Sequence, residues 1–201
     1  SLQSWRKKKQ SQLKYDGTSY LSDPFSWVSS NFSCCFIMIC DSDFYDYKAN
    51  EYRISDLIKR GKEEYCGYDS VVLWHAYPRI GLDDRNQFDF YREMPHGLSG
   101  IKGVTEQFHQ AGIKVFIDYN PWDKGTRREQ KPDIDLLIDL LRSIDADGIF
   151  LDTMKDAPDF REKLDAVKPG IVLEGEIALP LEHIQSHHMS WDQWFKDSNV
   201  P

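Results

Sequence analysis

The sequence lacks any apolar run near the ~18–20 residues of a membrane-spanning helix. Its best stretch, Phe36-Ile37-Met38-Ile39, has the length of a strand. The charged-then-apolar opening of a secretory signal is missing as well. There is no CxxC pair: Cys34, Cys35 and Cys40 crowd one hydrophobic run and Cys66 stands apart. They read as reduced thiols of a core, not as a disulfide framework or a zinc site, and so imply a cytoplasmic protein. Positive charge is short, with 25 Lys and Arg against 33 Asp and Glu and a net charge of −8. The basic run Arg6-Lys7-Lys8-Lys9 is brief and terminal, the pattern of a solvated tail, so no nucleic-acid partner is expected. Neither GxGxxG nor GxxxxGK(S/T) occurs, which removes the usual phosphate loops, and no GxSxG provides a serine nucleophile.

What is present is an alternation. Five short apolar runs, Phe36 to Cys40, Val71 to His75, Lys114 to Tyr119, Gly148 to Asp152 and Ile171 to Glu174, suit parallel strands covered on both faces. Helical spacings separate them. Ile54, Leu57 and Ile58 mark the first, and Leu98, Ile101, Val104 and Phe108 the second, stopped by Gly112. Ile134, Leu137, Ile138 and Leu141 follow a Pro132-Asp133 start signal, and Phe160, Leu164 and Val167 run to Pro169-Gly170. Connections after helices are terse, whereas those after strands, His75 to Pro95 and Asn120 to Pro132, are long, polar and aromatic. Such asymmetry belongs to α/β folds that work at the carboxyl ends of their strands.

We therefore expect a parallel (β/α) barrel of TIM type. A complete barrel takes about 250 residues and eight strands, and these 201 residues provide five, or six with Met189 to Phe195. The barrel is expected to be incomplete, occupying residues 32–201 after a linker or extension at 1–31 with no clear element. Open sheet edges invite self-association.

Three consecutive runs end in acids: Asp118 with Asn120 and Asp123, then Asp152, then Glu174 and Glu176. Strand side chains alternate, so Phe116, Asp118 and Asn120 share a face, as do Phe150 and Asp152, and Val172, Glu174 and Glu176. Paired carboxylates beside aromatics suit glycoside hydrolysis, whose oxocarbenium-like transition state needs one ionised and one protonated acid. Trp74, Tyr77, Trp122, Trp191 and Trp194 are candidates to stack on sugar rings; packing in a core is the alternative for each.

The segment Asp147-Gly148-Ile149-Phe150-Leu151-Asp152 resembles the fourth strand of α-amylase-like and α-galactosidase-like barrels, where DG(F/I)xxD carries the nucleophile. Val172-Leu173-Glu174-Gly175-Glu176 resembles the fifth strand of the amylase clan, which ends in a Gly-Glu whose Glu is the acid/base. Phe116 to Asn120 is similar to that clan's third strand. The longer stretch His75 to Phe195, with DDRNQFD, YNPWD, TRRE and SWDQWF, also resembles bacterial glycosidase-like barrel proteins. The resemblance implies a glycoside hydrolase acting on an oligosaccharide or glycoside, with Asp152 as nucleophile, Glu176 as acid/base and no cofactor. His75, Tyr77, Asp118, Asn120, Trp122, Asp123, Arg127, Glu174 and Trp191 are the expected substrate-binding residues. The sequence departs from the clan where Phe150 replaces an Arg two residues before the nucleophile and Pro121 replaces a His.

Other patterns compete. A degenerate barrel that binds sugar or assembles without chemistry is one alternative. A metal-dependent lyase or aldolase-type barrel ligated by Asp118, Asp152, Glu174 and Glu176 is another. His183 and His187 stand at a metal-capable i, i+4 spacing without HExxH, so no metal site is assigned to them. Arg127-Arg128-Glu129 suits either a substrate contact or a salt bridge over the rim.

Overall fold

Six of the apolar runs lie side by side in one parallel sheet. The computed structural model describes residues 1–75, 84–123 and 127–193. In chain order the elements are helices α1 (Leu2–Leu13) and α2 (Thr18–Leu21), a 3-10 helix (Asp23–Ser30), strand β1 (Cys34–Met38) and a hairpin of β2 (Tyr45–Asp46) and β3 (Glu51–Tyr52). There follow α3 (Ile54–Tyr65), β4 (Ser70–Trp74), α4 (Gln87–Arg92), α5 (Gly97–Gln110), β5 (Lys114–Tyr119), α6 (Asp133–Ile144), β6 (Gly148–Leu151), α7 (Pro158–Val167), β7 (Val172–Ile177), a second 3-10 helix (Leu181–Ser186) and β8 (Met189–Gln193).

The sheet order is β1-β4-β5-β6-β7-β8. Every neighbouring pair is parallel, and each crossover inserts a helix except the last, which passes through the second 3-10 helix. The five expected strands are thus neighbours in sequence order, and the segment at Met189 supplies the sixth. Among the described residues β1 and β8 do not pair with each other, so this is an open, partial barrel.

Local chemistry explains the short returns. Helices α3 and α6 end on Cys66 and Asp145 in the left-handed conformation, and the amide of each donates back into the last turn. Gly112, at φ 79°, turns the chain after α5 without the steric cost a side chain would bring. In α6 the residues Ile134, Leu137, Ile138 and Leu141 are all buried, as their spacing requires. With Val71, Leu73, Val115, Ile117, Ile149 and Leu173 they form the main core, between the helices and the outer face of the sheet.

The inner face is different. At the amino ends of the strands Val72, Phe116, Phe150 and Val172 pack with Phe25, Trp27, Val28, Cys34 and Met189. Residues 1–31, expected to form no element, are therefore partly helical, and the Asp23–Ser30 helix closes the floor of the half-barrel. The segment is tied down by side chains: the Tyr20 hydroxyl donates to the carbonyls of Ile184 and His187, and Phe25 stacks on His188 with ring centroids 3.7 Å apart. Floor packing also accounts for Gly148. It pairs in register with Phe116, and a Cβ there would meet the Phe116 ring at 2.3 Å.

Two elements were hidden within expected loops. Helix α4 lies between His75 and Pro95 and opens with a capping box: Asn86 Oδ1 accepts from the amides of Phe88 and Asp89, and Asp89 Oδ2 accepts from the Asn86 amide. That reciprocal bonding explains much of the DDRNQFD pattern. The β2–β3 hairpin is too short to leave a periodic signature.

Candidate active site

The inner face changes character toward the carboxyl ends of the strands. Register places Asp118 beside Phe150 and Phe150 beside Glu174. One pleat further, Asn120, Asp152 and Glu176 follow at the mouth. Asp118, Asn120, Asp123, Asp152 and Glu174 are all at least 97% buried. Most of the acids expected from the strand ends therefore converge on one side of the sheet.

Asp152 is the centre of the group. Its Oδ2 accepts from Asn120 Nδ2 at 3.0 Å, and the neighbouring Glu176 carboxyl raises its proton affinity. Burial pushes the Asp152 carboxyl up to about 6. Asn120 opposes that rise, Glu176 adds to it, and the Trp74 indole favours the anion. Deeper in the sheet, burial drives Asp118 well above the ordinary carboxylate range, with the charges of Asp152 and Glu176 adding to the shift. Burial also raises Glu174 to about 7, against the Trp191 side chain, which favours its anion. Three carboxyls held high by one apolar enclosure give the mouth an unusual affinity for protons.

Backbone and second-layer groups hold these acids in place. Nε2 of His75, fully buried, lies 3.0 Å from Asp118 Oδ2. The Asp118 amide donates to the Tyr91 hydroxyl at 2.9 Å, and that hydroxyl donates to the Leu73 carbonyl. Gln87 pairs with the backbone of Asn120 through both ends of its amide, and its own backbone N–H donates to Asp123 Oδ2 at 2.8 Å. Asn120 and Asp123 are thereby fixed to α4. Glu176 Oε2 accepts from the Thr153 amide at 2.6 Å. Thr153 stands at φ 59°, a conformation that a β-branched residue adopts only under constraint.

Aromatic side chains flank the acids. Trp122 and Trp191 are part-exposed. The Trp191 ring lies 4.5 Å from Phe150 and 5.5 Å from Phe36, which in turn lies 5.1 Å from Trp74. Contact between β1 and β8 through Phe36 and Trp191 shows how strongly the open sheet curls around its interior.

No protein-family model and no curated protein matches the sequence. Solved structures do match the fold. The α-N-acetylgalactosaminidase NagBb of Bifidobacterium bifidum, as a quadruple mutant, superposes with a TM-score of 0.54 at 15% identity, over 92% of this chain and 42% of that one. Its complex with Gal-NHAc-DNJ gives 0.53 at 16% identity, over 92% and 40%. The α-amylase of Geobacillus thermoleovorans, complexed with acarbose, gives 0.46 at 18% identity, over 72% and 46%.

The fold is a partial (β/α) barrel.

This chain spans less than half the length of those enzymes, and its six parallel strands make up part of a barrel. Where the amylase clan has an Arg before the nucleophile, Phe150 packs within the aromatic cluster, so that position contributes no charge to the site. Arg127 is held in a rim network instead: Nη2 lies 2.7 Å from Glu93 Oε1, and Nε lies 3.3 Å from Asp89 Oδ2. Tyr77 and Trp194 lie outside the described residues.

The C-terminal histidines serve the scaffold. His187 Nε2 accepts from the Ala157 amide at the start of α7, and Nδ1 faces the His183 carbonyl at 3.2 Å, so the ring is neutral with its proton on Nδ1. His183 Nδ1 pairs with Asp156 Oδ2 at 2.6 Å. Among the described residues no three His, Cys, Asp or Glu side chains converge to hold a metal ion. Nor does any helix among them have the length and apolarity to cross a membrane.

Sequence reasoning passed over Gln87, Tyr91 and Thr153. Gln87 and Tyr91 belong to the helix that was not recognised. The backbone of Thr153 carries its role, and no residue pattern announces that.

Proposed function

We propose that the mouth of this half-barrel binds a carbohydrate and cleaves an O-glycosidic bond, with Asp152 and Glu176 as the carboxylate pair. The observation that carries the reading is their approach on the inner face, beside part-exposed indoles, with Asp152 held at about 6. At neutral pH such a carboxyl is mostly ionised, as a nucleophile requires, while the charge of the neighbouring Glu176 makes it costly for both to be ionised together. An inverting pair keeps ~6.5–9.5 Å between its carboxyls to admit a water. A retaining pair stands closer, about 5–5.5 Å apart, and we take that chemistry for this pair.

In that chemistry an Asp152 oxygen attacks the anomeric carbon while Glu176 donates a proton to the departing glycosidic oxygen. A glycosyl ester forms on Asp152 as the carbon–oxygen bond to the leaving group breaks. Water, deprotonated by Glu176, then attacks the same carbon and releases Asp152, restoring both groups. Asn120 steers the attacking carboxylate, and Trp122 and Trp191 offer apolar faces to sugar C–H groups. Asp118, Glu174 and His75 lie deeper and set the electrostatics around the pair.

The test is trapping. A panel of activated 2-fluoro glycosides is expected to leave one glycosyl adduct, mapped by mass spectrometry to the peptide containing Asp152. Asp152→Asn should abolish the adduct, while Glu176→Gln should slow its formation least for glycosides with good leaving groups. An adduct elsewhere would reassign the nucleophile.

A second reading has its own observation. The amylase-clan Arg position is filled by apolar Phe150, and the sheet is open at β1 and β8. A sugar-binding barrel without turnover fits those facts. Saturable binding of oligosaccharides with no adduct from any glycoside in the panel would select it.

A further inference from the structure

Thr153 makes two contacts that no single neighbour duplicates. Its amide donates to Glu176 Oε2 at 2.6 Å, and its Oγ1 accepts from the Trp122 indole Nε1 at 3.1 Å. One residue thus touches an acid of the proposed pair and a part-exposed aromatic platform. Its backbone stands at φ 59°, where the branched Cβ crowds the chain, and where glycine or asparagine would be easier.

The surroundings hold that conformation in place. The loop after β6 lies directly against β7 on both sides of Glu176. The Ile177 amide donates to the Met154 carbonyl at 3.1 Å. Gly175 leaves room for the Lys155 carbonyl, which would stand 2.4 Å from a Cβ at that position. The Asp152 amide, just before Thr153, donates to the Tyr119 carbonyl at 2.9 Å. Gripped from β5 and β7, Thr153 has little freedom to relax, so its amide stays aimed at Glu176.

We propose that Thr153 is a positioning residue that couples the Trp122 platform to the Glu176 carboxyl, so that a sugar ring seated on the indole and the acid that serves it are set by one backbone unit. The inference rests on the glycosidase reading for its purpose, but the coupling is a property of the protein alone. Movement of the indole pulls on Thr153 Oγ1 and tilts the peptide whose N–H holds Glu176. A change of charge on Glu176 strengthens or weakens that N–H bond and is felt at the Trp122 indole. Among the described residues, Asp152 at the end of β6 and, behind it, Asp118 on β5 are titratable groups whose charges interact with Glu176.

The experiment reads the Trp122 indole N–H resonance across a pH titration of the intact chain, assigned by its disappearance in Trp122→Phe. In the wild type the resonance is expected to shift with the carboxyl titration. Glu176→Gln should remove that shift, Thr153→Ala should move the resonance to a solvent-exposed position and abolish its response, and Thr153→Ser should preserve both. A wild-type resonance that ignores pH, or a response that survives in Glu176→Gln or in Thr153→Ala, overturns the proposal. Should the alanine variant fail to fold, the wild type and Glu176→Gln alone decide, since they differ in charge and not in the Thr153 backbone. None of these readings needs turnover: coupling without glycosidase activity rejects the catalytic reading and leaves the positioning role standing, whereas activity without coupling does the reverse.

Discussion

The two ends of the inner face are built from the same strands and the same alternation, yet they do opposite things. At the floor, Val72, Phe116 and Val172 meet the Asp23–Ser30 helix in a dry apolar layer. At the mouth, a few residues further along β5, β6 and β7, the inward positions are Asp118, Asp152, Glu174 and Glu176. The floor gains from removing carbon from water. The mouth pays for removing charge from it, a cost reflected in the raised proton affinities of Asp118, Asp152 and Glu174. A chain selected for stability alone would have continued the floor upward. Acids placed where apolar side chains would pack at less cost are the feature on which the proposed site rests.

Substitutions can break the comparison. The largest expected effect is Asp152→Asn, which should lower glycoside turnover by on the order of 10⁴- to 10⁶-fold, the range spanned by removing single residues of a catalytic triad. It should leave the urea midpoint unchanged or higher, because a buried charge that repels Glu176 is gone. A fall in stability with activity retained would make Asp152 a scaffold residue. Phe116→Ala, at the floor, should behave in the reverse sense: about 3–5 kcal/mol of stability lost, in the manner of large-to-small core changes, read from urea unfolding. If it costs little, the N-terminal segment is not sealing a true core.

The two ends should also respond to pH in opposite directions. Glu174 at about 7 lies above its unfolded value, so the native state binds more protons than the unfolded chain between roughly pH 4.5 and 7. Stability must therefore fall as pH rises through that window, by on the order of 3 kcal/mol from this group. Glu174→Gln should flatten the loss. At the floor His188, held down to about 4 by burial, binds fewer protons when folded, so its contribution falls as pH drops from 6.5 toward 4. Replacing it with Phe, which keeps the stack on Phe25, should remove that acid limb. Urea midpoints at several pH values for the wild type and both variants separate the two contributions, and equal slopes in all three proteins would refute the contrast.

A smaller effect is expected from Asp147→Asn below the floor. Asp147 accepts from Lys114 Nζ at 3.0 Å and from the Val115 amide at 2.9 Å, and pairs with His109 at 2.7 Å; burial opposes its ionisation, but those partners together hold it below the usual carboxylate range. The loss should be about 1.5–3 kcal/mol at neutral pH, shrinking as acid protonates the wild-type carboxyl. Stability that is indifferent to this change would mean that the network is only a surface arrangement.

Much of the architecture was readable from spacing. A buried parallel strand must be apolar on both faces and a covering helix must repeat near 3.6 residues, so the five main strands and the helices α3, α5, α6 and α7 declare themselves in any reading of the chain. The acids at the ends of β5, β6 and β7 declare themselves equally, because period-2 alternation assigns each a face before any coordinates are known. Helix α4 was missed because six residues span too few turns to show a period, although its Asn86–Asp89 cap was written in the sequence. The N-terminal segment was missed for a different cause: α1 buries none of its side chains, and the floor helix gains its place only by docking on a surface made by strands much later in the chain.

Local sequence therefore determined which residues became strands and helices, and which side chains shared a face, because those properties depend on backbone geometry and nearest neighbours. Tertiary structure decided that Phe25 would seal the floor, that Gln87 would hold Asn120, and that Thr153 would aim its amide at Glu176. Each of these is a contact between separate elements, or a backbone angle enforced by such contacts. Their energies exist only once the sheet has curled and brought the elements together.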